Sequence, residues 1–367
     1  MIGLVSLHPS AYNAVADSGV AVPVGMHQPS VPLLQRREII GAALMIVQLL
    51  LIIVLVGSLA GFLGHRYKYC ELTSHFKLQW LILAGFCWLV FNVAQVWSWS
   101  LLALISMGIN LAVILPWYVP SSRTQVRQQD EYQDEYMVRL LFINVDCKNT
   151  DYARLREFVQ EVKPDVLMIQ EATQGWVDAL KILLDRFPYS ITEPHPRGWG
   201  IALYSRIPLD KCEVIYSRVD RRPAIRARVR LGDGKLWLLG VHPRAPLRRN
   251  YFHHRNEHLR EAAAAIQQLP APKILVGDFN CSLWSPYYTR LVHDTGLVNA
   301  RQGYGLFPTW PTYMPLRPFS MLPIDHCLVS SDIRVVHFQT GHKIGSDHLP
   351  LLVDLAIAAP TSQPMQP

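Results

Sequence analysis

Polar and apolar positions divide this chain into two unlike parts. From Ile39 to Gly64 there is no charged residue, and a run of that length can cross a bilayer as a helix. A second charge-free run extends from Leu78 to Val119, too long for one helix through a hydrocarbon core about 30 Å thick. Two helices joined near Trp97-Ser-Trp-Ser100 fit it, with the indoles at the membrane interface. Residues 38–119 are therefore expected to form a membrane anchor of about three transmembrane helices, so that a lipid bilayer is one partner. Residues 1–37 have no period and no basic stretch of the kind that opens a cleaved signal peptide, and read as a disordered tail. Residues 120–137, rich in Gln, Asp, Glu and Tyr, read as a linker.

Beyond the linker the period changes. Val138–Val145 reads as a strand, Tyr152–Val162 as a helix with Leu155, Phe158, Val159 and Val162 on one face, and Val166–Ile169 as a buried strand. A helix is expected over Gly175–Arg186, then strands near Gly200–Ser205, Glu213–Tyr216, Ala224–Arg230 and Leu236–Val241. Helices over Asn250–Gln268 and Pro286–His293 flank a central strand, Ile274–Val276, which Gly277 is expected to end in a sharp turn. The last strands are Asp325–Val329, Ile333–Thr340 and Leu351–Leu355. Strands arriving singly and in pairs with helices between predict a sandwich of sheets covered by helices over 138–357. Residues 358–367 read as a second disordered tail.

Charge sharpens the division. The chain carries a formal net charge of +7; Lys and Arg balance Asp and Glu outside 138–357, so the excess belongs to the C-terminal portion and favours anionic partners. Near the membrane, Arg66, Lys68, Lys77, Arg123 and Arg127 outweigh Arg36 and Arg37. The positive-inside rule therefore predicts a multi-pass protein of the cell (inner) membrane with the C-terminal portion in the cytoplasm. Six Cys without a CxxC pair exclude a disulfide framework and a structural zinc knot, and nothing in the sequence calls for an obligate protein partner.

Chemically capable residues recur where the strands end: Asn144, Glu171, His242, Asp278 with Asn280, Asp325 with His326, and Ser346-Asp347-His348. If the chain stays extended, the spacing of two puts Asp278 and Asn280 on one face; an Asx turn closing the strand is the bland alternative. Together these residues supply carboxylates, amides and imidazoles, a set for oxygen-ligated Mg²⁺ and phosphate chemistry.

Seven motifs occur in order: Phe142-Ile-Asn-Val145, Ile169-Gln-Glu171, Ala202-Leu-Tyr-Ser-Arg206, Val241-His-Pro243, Gly277-Asp-Phe-Asn280, Ile324-Asp-His326 and Gly345-Ser-Asp-His348. This series resembles the signature of the endonuclease/exonuclease/phosphatase (deoxyribonuclease-I-like) superfamily, the group of pancreatic deoxyribonuclease, apurinic endonucleases, inositol polyphosphate phosphatases and neutral sphingomyelinases. The hydrophobic N-terminal third looks like that of its membrane-anchored bacterial branch. The resemblance implies an α+β, four-layer α/β/β/α sandwich and a phosphoesterase, hydrolysing a phosphodiester or phosphomonoester of nucleic acid, phospholipid or inositol phosphate with Mg²⁺ or Mn²⁺. It implies Glu171 as the main metal ligand with Asn144 and Asp347 beside it. Asp278 would activate water and Asn280 orient it or the phosphate, while His242 and His348 bind the phosphoryl oxygens. His348 is also implied as base or proton relay, held by Asp325, and His326 as structural.

Two other readings compete. His254-Arg-Asn-Glu-His258 matches the literal H-x-x-E-H pattern of inverted zinc metallopeptidases, with His254 and His258 one turn apart and Glu257 between. Against it, the segment lies in a run with Arg248, Arg249, His253 and Arg255 that reads as an exposed basic face. The other is a catalytically inactive anion-binding module, disfavoured because every motif residue is present. For substrate, a belt of Arg218, Arg221, Arg222, Arg226, Arg228, Arg244, Arg248 and Arg249 is expected to attract nucleic-acid backbones as readily as anionic headgroups. The loop Phe307–Phe319 is rich in Pro and aromatic residues, fit to stack a base or to cover a lipid headgroup.

Overall fold

The computed structural model describes residues 33–120, 135–317 and 319–359. Most of the expected N-terminal tail, linker and C-terminal tail lies outside them. Where the described residues reach into those stretches they are ordered: helix α1 starts at Leu33, strand β1 at Glu135, and strand β12 runs to Ala358.

The chain divides into two compact units, 1–46 and 47–367. The described residues of the first are the N-terminal half of α1 (Leu33–Ala60). The second continues through α2 (Lys68–Ser74), α3 (Lys77–Val93) and α4 (Trp97–Ile114). Two helical stretches, Gln35–Leu63 and Trp97–Tyr118, are long and apolar enough to cross a membrane; α2 with α3, bent by 69°, makes a third if the pair is one span. The joint between α3 and α4 falls at Ala94–Val96, just before the Trp-Ser-Trp-Ser stretch.

Residues 135–359 form a four-layer α/β/β/α sandwich. The first sheet joins β1 (Glu135–Asn144), β2 (Val166–Gln170), β3 (Tyr189–Glu193), β4 (Ile201–Ser205), β11 (Ile333–Thr340) and β12 (Leu351–Ala358) in the order β11-β12-β1-β2-β4-β3. The second joins β5 (Leu209–Tyr216), β6 (Pro223–Leu231), β7 (Gly234–Val241), β8 (Lys273–Asp278), β9 (Val298–Asn299) and β10 (Asp325–Val329) in the order β5-β6-β7-β8-β10-β9. Each sheet has one parallel pair at its centre, β1 with β2 and β7 with β8. Parallel neighbours need a crossover, here α5 (Tyr152–Val162) and α7 (Arg249–Gln267). Helices α6 (Gln174–Leu180) and α8 (Pro286–Thr295) complete the outer layers.

Strands β2 and β4 are buried at every position, which is why they read as apolar runs up to their last residue instead of alternating ones. Phe142, Met168 and Leu203 of the first sheet meet Ile225, Leu238 and Val276 of the second in the central core. Outside the first sheet, Leu141, Ile143 and Ile169 pack on Leu155, Phe158 and Trp176. Outside the second, Leu239 and Leu275 pack on Leu259, Ile266 and Leu291, and the N-terminal helical region joins this layer through Ile114, Leu78, Leu81 and Trp117. Trp284 donates its indole N–H to the Val113 carbonyl at 3.0 Å. The backbone N–H groups of Gly303 and Gly305 both donate to the Trp117 carbonyl at 3.0 Å.

The topology brings the carboxyl ends of β1, β2, β7 and β8 to one rim. Antiparallel pairing sets the start of β10 there, Asp325 opposite Asp278, and the start of β12 beside Phe142. Every chemically capable strand end noted in the sequence lies on that rim.

Candidate active site

Gly277 does not end its strand, as the sequence implied; β8 runs on to Asp278. A Cβ at Gly277 would stand 2.0 Å from the Val241 carbonyl oxygen, so the glycine lets β7 and β8 close up beside the site. Nor does the chain stay extended after Asp278. Asn280 adopts a left-handed conformation (φ 50°), and its backbone N–H donates to Asp278 Oδ1 at 2.8 Å. The Asx turn itself draws the pair together, with Asn280 Nδ2 3.4 Å from Asp278 Oδ2 and 2.9 Å from the Pro243 carbonyl. Glu171 (φ 60°) and Asp146 (φ 57°) are also left-handed. Backbone strain of this kind, about 1–3 kcal/mol each, persists where surrounding structure enforces it, and it gathers at functional sites.

The side chains of the eight candidate residues meet. Asn144 Nδ2 lies 3.1 Å from Glu171 Oε1, 3.3 Å from Asp278 Oδ2 and 3.5 Å from His348 Nε2. His242 Nε2 is 3.6 Å and His348 Nε2 3.7 Å from Asp278 Oδ2, one imidazole on each side of the carboxylate. Asp325 Oδ2 takes His348 Nδ1 at 2.8 Å, which turns Nε2 toward Asp278. Asp347 Oδ1 lies 3.9 Å from His348 Nε2, and its Oδ2 accepts from the Trp310 indole at 2.9 Å. Asn144, His242, Asp278, Asp325 and His348 are buried, while Glu171, Asn280 and Asp347 are half-buried at the mouth.

Burial alone would force a proton onto Asp278, but His242 and His348, with the Asn280 N–H, hold its carboxyl below the usual range. Burial likewise works against a charge on His348; Asp325 outweighs it, with help from Asp278 and Asp347, and pushes the imidazole up to about 10. Near neutral pH the centre thus sets an ionised Asp278 against a protonated His348 whose charge is stabilised by Asp325.

Gln170, the residue before Glu171, is what registers the two sheets here. It is fully buried, accepts the Asp278 N–H at 2.9 Å and donates to the Val241 carbonyl at 2.7 Å. Ser346 does similar work at the other edge, with its hydroxyl on the Asn144 carbonyl at 2.6 Å and accepting the His348 N–H at 3.0 Å. Both stand inside motifs quoted above, but only their contacts reveal the role. A glycine guards the mouth: a Cβ at Gly198 (φ 71°) would stand 2.8 Å from Glu171 Oε2.

One wall is aromatic and basic. Arg222 and Arg244 each place the guanidinium over Trp199, at 5.4 and 5.2 Å, and each lies 3.5 Å from the buried Asp220 carboxylate. The remainder of the expected arginine belt is partly neutralised, Arg226 by Glu213 and Arg228 by Asp210. Of the expected exposed basic face, Arg248, Arg249 and His253 are exposed and Arg255 is not. It is fully buried, paired with Glu71 of α2 at 2.9 Å, and donates to the Asn280 carbonyl at 2.9 Å. Glu71 also accepts from Ser285 at 2.7 Å, and His75 Nδ1 sits 2.9 Å from the Ser282 hydroxyl. Helix α2 and His75 just after it thus grip the segment that follows Asp278.

Among the described residues, two groups bring metal-capable atoms within 4.8 Å of one another: Asp146, Cys147 and Glu171, and Asp278, Asp325 and His348. His254 and His258 are in neither; Glu257 is paired with Arg260, and His258 is buried 4.0 Å from Asp220. At the rim, Asn144, Glu171 and Asp347 offer amide and carboxylate oxygens, and among the described residues no hydrogen-bond donor occupies Asp347 Oδ1. That is an oxygen donor set of the kind a hard divalent cation takes.

A family model described as the Endonuclease/Exonuclease/phosphatase family matches residues 141–348. No curated protein matches the sequence. Among solved structures, a D. rerio TDP2 humanized by 14 mutations is 19% identical, with a TM-score of 0.50 over 60% of this chain and 98% of that one. D. rerio TDP2 complexed with a single-strand DNA product is 18% identical, also at 0.50, with the same coverage. The 3′ phosphatase NExo (D146N) from Neisseria, bound to a product DNA hairpin, is 17% identical with a TM-score of 0.49, over 59% of this chain and 98% of that one. At such identities the likeness is one of fold.

Proposed function

This chain belongs to the endonuclease/exonuclease/phosphatase family, and from that premise we propose that it is a membrane-anchored, divalent-metal-dependent phosphoesterase. The reading is carried by one observation: six chain segments far apart in sequence deliver Asn144, Glu171, His242, Asp278, Asn280, Asp325, Asp347 and His348 to one rim, each with a polar side-chain atom within 3.9 Å of another of the set.

Glu171, Asn144 and Asp347 would hold Mg²⁺ or Mn²⁺, which when bound offsets the negative charge that builds on a phosphoryl group under attack. Asp278, kept ionised, takes the proton of an incoming water. Asn280, held by the turn and by Pro243, orients that water. His348 and His242 flank Asp278 and bind the phosphoryl oxygens, and protonated His348 supplies charge and a proton there, steadied by Asp325. Arg222 and Arg244 beside the mouth draw an anionic ester.

The test is hydrolysis by the full chain in detergent of plasmid DNA, RNA, inositol phosphates, sphingomyelin and phosphatidyl lipids, with Mg²⁺ or Mn²⁺ and with EDTA. The expected result is cleavage of at least one class, abolished by EDTA. Anion binding without turnover across the panel would favour the inactive module instead.

A further inference from the structure

Two loops that leave the site end on the anchor. The chain after His242 and Pro243 reaches Leu247, whose carbonyl accepts from Lys68 Nζ of α2 at 3.4 Å. The second loop starts at Thr312, whose backbone N–H donates to the Asp347 carbonyl at 2.9 Å. It ends at Phe319, whose carbonyl accepts from Gln79 Nε2, in the first turn of α3, at 2.7 Å. Lys68 and Gln79 mark the end of the anchor where α1 has finished and α3 sets out. Each loop tip is strongly apolar and uncovered among the described residues: Leu247 is 82% exposed, Leu316 81%, Tyr313 66% and Phe319 55%.

Water is a poor neighbour for such a patch. The chain beside each tip is basic, with Arg248 directly after Leu247 and Arg317 directly after Leu316, both exposed. Apolar tips flanked by guanidinium groups, at the level where helices enter a membrane, are complementary to the headgroup zone of a bilayer, tips among the upper acyl chains and arginines on lipid phosphates. We propose that both loops rest in the bilayer surface and set the mouth of the site against it, so that the ester it takes is carried by a membrane phospholipid. The loop contact stands by itself; the substrate class rests on the phosphoesterase reading.

Two measurements on the full chain in vesicles of phosphatidylcholine and phosphatidylglycerol test this. In the first, a fluorophore is attached at Leu247→Cys, at Leu316→Cys or, as control, at Ile182→Cys, exposed on the outer layer of the other sheet, with labelling of the parent chain subtracted. Lipids spin-labelled near the glycerol should quench the two loop positions at least about threefold more than the control, since interfacial groups sit within the headgroup and acyl boundary. Equal quenching overturns the loop contact. In the second, the double variant Leu316→Ser, Phe319→Ser should slow phospholipid hydrolysis in vesicles about tenfold, as loss of two interfacial apolar groups implies. Its rate on soluble bis(p-nitrophenyl) phosphate should stay unchanged. Equal loss on both, or cleavage confined to a single-stranded DNA oligonucleotide, overturns the lipid assignment. Failure to cleave any ester with Mg²⁺ overturns the phosphoesterase reading, and the quenching result still decides the loops.

Discussion

Asp278 faces two imidazoles that favour its ionised form, so a neutral amide there removes the base and the negative charge that His242 and His348 share. Asp278→Asn, Glu171→Gln and His348→Ala are each expected to lower the rate by at least about two orders of magnitude with little change in KM, as groups that act in the transition state do; steady-state kinetics on whichever ester the full chain cleaves checks this. A second prediction concerns His326. Burial, then the Arg301 charge, lowers its pKa from 6.5 to about 3. Nε2–H donates to the Cys281 carbonyl at 2.8 Å, and Nδ1 accepts from Asn299 at 3.3 Å. Below pH 6.5 the unfolded chain takes up a proton at this residue that the folded chain refuses. Its contribution is therefore full above pH 6.5 and is lost as pH falls toward 3, at up to about 1.4 kcal/mol per unit. His326→Gln should flatten the dependence of the urea midpoint on pH between 6.5 and 4 by about one proton; an unaltered slope would show that His326 is not held neutral.

At the scale of elements, α2 is the unexpected one. In sequence it is a polar stretch between two apolar runs, yet Glu71 reaches across to Arg255 on α7, and Arg255 holds the carbonyl of Asn280. A buried cation deprived of its partner is costly, about 3–5 kcal/mol. Glu71→Leu is expected to destabilise the full chain by about that amount, and adding Arg255→Met should recover part of it. Chemical denaturation of the two single variants and the double variant gives the coupling energy, and strict additivity would mean that the pair does not communicate. The same element shows where sequence reading stops. Strands covered on both faces announced themselves as apolar runs, and motif residues at their ends could be picked out singly. Strand β3 went unseen because it is a five-residue, half-exposed edge strand with only two apolar positions, and two-residue β9 is too short to leave a pattern. Arg255 was misplaced because charge near other charges looks like surface; only the fold reveals a carboxylate 184 positions away in sequence. Gly277 looked like a turn for a similar reason, since a close approach by β7 leaves no mark on neighbouring residues.

For the whole molecule, the question is whether the sandwich is an independent body that happens to be tethered. Its outer hydrophobic layer is completed by Ile114, Leu78, Leu81 and Trp117, and the segment after Asp278 is fastened to α2 through Arg255, Ser282 and Ser285. A fragment of residues 135–367 loses both. The two losses differ in kind, because once the N-terminal helices are gone water reaches Arg255 and hydrates it, whereas in the full Glu71→Leu chain the guanidinium stays dry and unpaired. The apolar loss has no such relief; each large side chain left uncovered forfeits about 1.5–3 kcal/mol. The fragment should therefore unfold at lower denaturant than the full chain and bind a hydrophobic dye. Its amide protons between Asn280 and Ser285 should nonetheless exchange more slowly than those of Glu71→Leu, if hydration of Arg255 spares the hold on the Asn280 carbonyl. Hydrogen exchange resolved to that segment, on both proteins in the same detergent, decides between them. Full-chain protection of Asn280–Ser285 in the fragment would mean that the N-terminal helices do nothing to hold that segment.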